Sequence, residues 1–136
     1  MSIFGFLRKK GINNNVAEPP YKIVTEWFPY KLYANKKSSS SLSVKIKNNS
    51  KEPQLTSIEL ELPNKLSFDG MGISRKREMK LGILPPDSEK EIKFDVINSL
   101  DADKGEYSLI LTVSSHYRDY DHFLNMVKKT VVIEVV

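Results

Sequence analysis

Leu42-Ser43-Val44-Lys45-Ile46-Lys47 is the stretch on which the fold turns. Apolar and polar residues alternate strictly across it. In a helix Leu42, Val44 and Ile46 would be smeared around the cylinder, whereas in a strand all three point to one face, which can be buried. The same period of two returns further along the chain. Ile58, Leu60 and Leu62 alternate with Glu59 and Glu61, and Ile92, Phe94 and Val96 with Lys93 and Asp95. Tyr107, Leu109, Leu111 and Val113 are separated mostly by small polar residues, and Val131, Ile133 and Val135 close the chain with Glu134 on the opposite face. Tyr21 to Trp27, Tyr30 to Tyr33 after Pro29, and Arg77 to Ile83 read as further strands. Clusters of Asn, Ser, Pro, Gly and Asp separate the runs, the punctuation of turns. The pattern predicts an all-β fold, an antiparallel β-sandwich of seven or eight strands over residues 21–136, with residues 1–20 as a flexible tail.

Three local signals follow one another. A strand ends in Lys47-Asn48-Asn49-Ser50 and is followed by Ile58-Glu59-Leu60-Glu61-Leu62-Pro63. Leu81-Gly82-Ile83-Leu84-Pro85-Pro86-Asp87-Ser88 then leads into Glu91-Ile92-Lys93-Phe94-Asp95-Val96, and Lys104-Gly105-Glu106-Tyr107 opens a strand that runs to Ser115. Read without any family, Pro85-Pro86 fixes the backbone entering a turn that Asp87-Ser88 completes. Gly105 followed by Tyr107 has the form of a tyrosine corner, in which the hydroxyl bonds back to an upstream backbone group. The succession, over most of residues 40–136, resembles the CARDB-like and related immunoglobulin-like β-sandwich modules of bacteria and archaea. Many of those modules carry glycine where this chain has Asp87 or Ser88. The resemblance implies an immunoglobulin-like fold and is nearly silent about function, because that architecture hosts many unrelated tasks.

Composition removes several chemistries. The 136 residues include no cysteine, so disulfides, cysteine-based zinc fingers, iron-sulfur clusters and thiol nucleophiles are excluded. No run approaches the roughly 20 apolar residues of a membrane-spanning helix. Near the start Ile3-Phe4-Gly5-Phe6-Leu7 precedes Arg8-Lys9-Lys10, the reverse of a secretory signal, so a cytoplasmic protein, at most peripheral to the membrane, is expected. Ser38 to Ser41 read as a solvated turn with no G-x-S-x-G elbow around them. Glu59 and Glu61 share a solvent-facing strand side, where they have no acid and base division of labour. Gly70-Met71-Gly72 lacks the rest of a phosphate loop. Asn48-Asn49-Ser50 matches a glycosylation tripeptide and reads as a surface turn. No enzyme and no cofactor is expected.

Both histidines fall in Ser115-His116-Tyr117-Arg118-Asp119-Tyr120-Asp121-His122-Phe123, the expected hairpin between the last two strands. With Asp119 and Asp121 they supply donors suited to a divalent metal, in a spacing that fits no established motif. A metal-binding protein or metal-dependent enzyme centred there is the alternative function. The leading reading of the segment is a contact loop, because Tyr117, Arg118, Tyr120 and Phe123 are the aromatic and guanidinium types that dominate interface hot spots.

Charge is divided unevenly. Residues 1–50 hold nine Lys or Arg against two Asp or Glu, and residues 51–136 hold twelve against fifteen, for the net +4 of the whole. Such asymmetry points the first third of the chain toward an anionic surface. Ser74-Arg75-Lys76-Arg77 adds a basic patch read as a loop. A nucleic-acid partner is disfavoured, since most aromatics sit at alternating core positions and no nucleic-acid module is visible. Ile3, Phe4, Phe6 and Leu7 beside Arg8, Lys9 and Lys10 make the sharper signal, that of a segment recruited to a protein partner or an anionic membrane surface. Together these features predict a non-catalytic binding or scaffolding module. A homo-oligomer joined through the edge of the apolar final strand is the remaining structural reading.

Overall fold

The structure, a computed structural model, describes residues 20–136. Their strands are β1 (Tyr21–Phe28), β2 (Lys31–Leu32), β3 (Ser39–Asn48), β4 (Gln54–Glu61), β5 (Leu66–Ser67), β6 (Lys76–Leu84), β7 (Glu89–Asn98), β8 (Gly105–His116) and β9 (Phe123–Val135). One sheet has the order β1-β3-β7-β5 and the other β2-β9-β8-β4-β6. The chain is thus all-β among the described residues, in two layers. The alternating sets behave as their period requires. Leu42 lies opposite Trp27 and Phe94, and Val44 opposite Thr25 and Ile92, in the antiparallel ladders that flank β3. Across the interior, Ile58 and Leu60 pair with Val113 and Leu111. The side chains of both inner faces form one buried cluster, with Phe94 the largest among those fully hidden.

Seven strands are long and two, β2 and β5, are two residues each, against the seven or eight expected. Tyr30 to Tyr33 contributes only Lys31 and Leu32, which pair in parallel with Glu134 and Val135 at the end of β9. The serine run is a correction: Ser39 to Ser41 belong to β3, and Ser40 is buried and donates its hydroxyl to the Pro29 carbonyl. Lys76 and Arg77 likewise lie in β6 and not in a loop. The tripeptide asparagine Asn48 is fully buried and does not face solvent.

Successive strands alternate between the sheets, so β8 and β9 are the only sequence neighbours among the described strands that pair with each other. The open edges of β1 and β9 meet side by side. There the Trp27 indole donates to the Val132 carbonyl at 3.1 Å and the Lys129 ammonium to the Ile23 carbonyl at 3.2 Å. Edge carbonyls that would template another strand are occupied by side chains from the opposite sheet.

Two fully buried asparagines, Asn48 at the end of β3 and Asn98 at the end of β7, organise the loops. Because β3 and β7 are antiparallel, they sit at opposite ends of the sandwich. The Asn48 carboxamide donates to the carbonyls of Glu52 and Leu84 and accepts from the backbone N–H and hydroxyl of Ser50. Its backbone joins the Pro85–Ser88 turn, accepting from Asp87 N–H at 2.9 Å and donating to the Ser88 carbonyl at 3.0 Å. Asn98 donates to the carbonyls of Tyr33, Lys36 and Ser99, and accepts from Ser38 N–H at 3.0 Å. Each carboxamide replaces the ladder partners that a strand end loses, which a buried backbone demands.

The turn after β6 takes a left-handed residue at its third position, Asp87 with φ 61°, where glycine is the unstrained choice. At the β7–β8 crossing Tyr107 donates its hydroxyl to the Asp103 carbonyl at 2.7 Å, as the Gly105-Glu106-Tyr107 spacing predicted. Truncation at the clamp, Asn98→Ala, leaves several buried partners unmatched and is expected to lower unfolding stability by roughly 3 kcal/mol. Asp87→Gly is expected to raise it by up to about 1 kcal/mol through relief of the left-handed backbone. Urea denaturation of each variant beside the parent checks both signs.

Candidate functional site

The β8–β9 ladder runs from Gly105 opposite Val135 to His116 opposite Phe123, with a register shift between Ser115 and His116 that leaves Leu124 as the extra residue. A bulge bends its strand locally. Beyond it the tip, residues 117–122, is closed by Tyr117 N–H on the His122 carbonyl at 2.8 Å and by Asp119 N–H on the Tyr117 carbonyl at 2.8 Å, with Arg118 left-handed at φ 72°.

His116 belongs to the outward side of β8, next to inward-facing Ser115, yet only 5% of it is exposed. The hairpin covers it. Tyr120 meets the imidazole edge-on with ring centres 5.1 Å apart, and the Phe123 ring lies at 4.6 Å. The Tyr120 hydroxyl accepts the Gly82 N–H at 2.9 Å, fastening the tip to β6 where the β4–β6 register shifts. Lys80 extends over the opposite part of the same ring, 5.1 Å from its centre. Tyr120 is therefore half-buried and structural on this face, while Tyr117 and Phe123 remain 54% and 55% exposed and Arg118 lies over the Tyr117 ring.

The histidines do not converge. His116 Nε2 shares a 2.7 Å hydrogen bond with the Ser57 hydroxyl, and its Nδ1 is buried without a partner. His122 Nδ1 is 2.7 Å from Asp119 Oδ1, which also accepts the Asp121 N–H. Among the described residues no three His, Cys, Asp or Glu side chains group as metal ligands. Glu59 is tied to Lys76 at 3.7 Å, and Glu61 stands beside it on the same strand side.

Of the eleven residues singled out for partner binding, Tyr117, Arg118, Tyr120 and Phe123 are brought together, whereas Ile3, Phe4, Phe6, Leu7, Arg8, Lys9 and Lys10 lie outside the described residues. Pro20, to which that segment is joined, accepts a hydrogen bond from Asn49 and so stands at the Asn48 end of the sandwich. The hairpin tip lies at the same end, since His116 is opposite Leu55 near the start of β4.

The sequence reading missed Leu124 and Met126, which are exposed beside Phe123, and Ile83, exposed at the far side of the row Ile83, Leu55, His116, Phe123 that crosses the outer face. The signal for Leu124 and Met126 was the segment Phe123-Leu124-Asn125-Met126-Val127, where apolar residues occupy both phases of the period and no charge intervenes.

The hydrogen bond from the His122 imidazole holds the Asp119 carboxyl below the ordinary aspartate range against the opposing cost of burial, and the Asp121 N–H adds to the lowering. A depressed carboxylate favours the closed tip above its unfolded pKa and loses that favour as pH falls through the folded value. Carbon-detected NMR titration is expected to place Asp119 below a free aspartate and to move it upward in His122→Ala, with the tip amides broadening only at the acid end. The chain matches no protein-family model and no curated protein.

Proposed function

We propose that this protein is a non-catalytic binding module whose contact surface is the tip of the β8–β9 hairpin and the apolar residues that follow it. One observation carries the reading: Tyr117 and Phe123 are held out in solvent by a tip that is pinned from beneath through Tyr120, Gly82 and His116. Aromatic side chains already ordered before contact lose little entropy on binding, the property of a hot spot and not of a mobile loop. The nearby exposed Leu124 and Met126 extend the apolar area, and Arg118 supplies a guanidinium at its rim.

The fold reading that goes with it is an immunoglobulin-like sandwich of CARDB-like type. It is supported by the four- and five-strand sheets with crossing connections and by the Tyr107 hydroxyl bonded to the Asp103 carbonyl, the geometry of a tyrosine corner. In such sandwiches the end loops commonly carry recognition. The partner is a protein, with Ile3 to Lys10 as a second recruiting element to a protein or an anionic membrane surface. A cytoplasmic, membrane-peripheral place for the module agrees with this. Among the described residues no helix is long and apolar enough to cross a membrane.

The double variant Tyr117→Ala, Phe123→Ala is expected to stay folded, losing only the part of the Phe123 ring that packs on His116, and to lose at least tenfold in affinity for its captured partner. Deleting residues 1–12 is expected to leave thermal unfolding nearly unchanged while reducing recruitment in pull-down or liposome flotation. Unchanged partner capture by the double variant ends the hairpin reading, and unchanged recruitment by the deletion ends that of the tail.

A further inference from the structure

At the end of the sandwich opposite Pro20 and the hairpin, the loops gathered by Asn98 expose apolar side chains that nothing in the core requires. Tyr30 is 74% exposed, Met71 70% and Ile73 78%. Chain collapse should hide Met71 and Ile73, since burial of apolar surface is favourable. A hydrogen-bond frame prevents it. The buried Ser67 hydroxyl accepts the N–H groups of Gly70 at 3.0 Å and Gly72 at 3.1 Å, and Asp69 accepts those of Met71 at 2.9 Å and Ser74 at 3.1 Å. Phe68 N–H donates to the Ser74 carbonyl at 2.8 Å and closes the base. Gly70 and Gly72 adopt φ of 76° and 79°, which the frame needs and other residues resist.

Cations lie on the loops at both edges of this end. Lys31, Lys36 and Lys37 flank Tyr30 and Tyr33, with Lys31 and Lys36 lying over the tyrosine rings. Arg75 and Lys76 follow Ile73 and, with Glu61, Leu62 and Ser74, line a cleft of about 330 Å³ at its foot. Of the acids nearby, Asp69 is turned onto backbone N–H groups and Asp101 is paired with Lys65 at 2.7 Å. Glu61, Asp103, Glu106 and Glu134 are further anions of this end and Lys76 is paired with Glu59 at 3.7 Å, whereas Lys31, Lys36, Lys37 and Arg75 have no carboxylate within ion-pair distance among the described residues.

We propose that this loop end is a docking surface for an anionic lipid bilayer: Met71 and Ile73 enter the headgroup region, Tyr30 and Tyr33 lie at the interface, and Arg75 and Lys76 take a lipid phosphate beside the cleft. Exposed apolar tips that share one end of the sandwich with cationic loops match a surface that is apolar beneath and negative above. A single-stranded nucleic acid would use the tyrosines and lysines but leaves Met71 and Ile73 without a role. The surface is distinct from the hairpin and lies at the end opposite Pro20, and it holds whether or not the hairpin or residues 1–12 bind a partner.

The test uses the full chain with Ile3, Phe4, Phe6, Leu7, Arg8, Lys9 and Lys10 each replaced by Ser, so that the N-terminal segment does not contribute, and vesicles of phosphatidylcholine with and without phosphatidylserine. The prediction is sedimentation with the phosphatidylserine vesicles only, weakened at least tenfold by adding Met71→Ser and Ile73→Ser and also by Arg75→Glu and Lys76→Glu. Because the chain has no cysteine, Ile73→Cys gives one labelling site, and an environment-sensitive dye there should shift to the blue on binding. Binding that survives both loop variants, a dye unchanged on bound vesicles, absence of vesicle binding, or tight binding of a single-stranded oligonucleotide with none to vesicles would each overturn the proposal.

Discussion

Two buried carboxamides fix the loops that leave β3 and β7. Asn48 and Asn98 end the adjacent antiparallel strands β3 and β7 and point to opposite ends of the molecule. At each end the departing strand leaves carbonyls and N–H groups with no ladder partner, and burial makes such groups costly. A single side chain that both donates and accepts satisfies several at once. Asn98 draws the Tyr33, Lys36 and Ser99 carbonyls to one point, and Asn48 does the same for Glu52 and Leu84. The loops are therefore parts of a hydrogen-bonded scaffold, and what they expose is held in place.

That scaffold gives the ends different characters. At the Asn48 end the β8–β9 hairpin folds down over His116 and is fastened by the Tyr120 hydroxyl to Gly82, so that Tyr117 and Phe123 stand above an ordered base. At the Asn98 end Ser67 and Asp69 hold a glycine-flanked tip open, with Met71 and Ile73 outward. In both places backbone N–H groups are captured by polar side chains, and in both the result is apolar surface kept from collapse. Side chains ordered in this way before contact lose little entropy when a partner covers them.

The connectivity explains why the sides of the sandwich are quieter. Each strand up to β8 crosses to the other sheet before the next begins, so every ladder except that of β8 with β9 joins strands that are not sequence neighbours. Such pairings form only when both layers close on the common core, which ties strand order to burial. The β1 and β9 edges illustrate it, since Trp27 and Lys129 cap carbonyls on the opposite sheet only when the layers are stacked.

The alternation of Leu42, Val44 and Ile46, and of four further segments like it, determined from sequence alone that the chain is β and which side chains are hidden, because a period of two has one burial solution. The Tyr107 bond to Asp103 was legible for a similar reason, being a local contact across four residues. Which sheet each strand joins was not legible, since period says which face is apolar and nothing of the neighbour. Nor was the burial of Asn48, Asn98, Ser40 and His116, polar residues that look solvent-bound until distant carbonyls or aromatic rings arrive to match them. Whether Tyr120 or Tyr117 faces solvent was likewise decided by tertiary structure, because only the fold brings Gly82 to within a hydrogen bond of one and leaves the other in water.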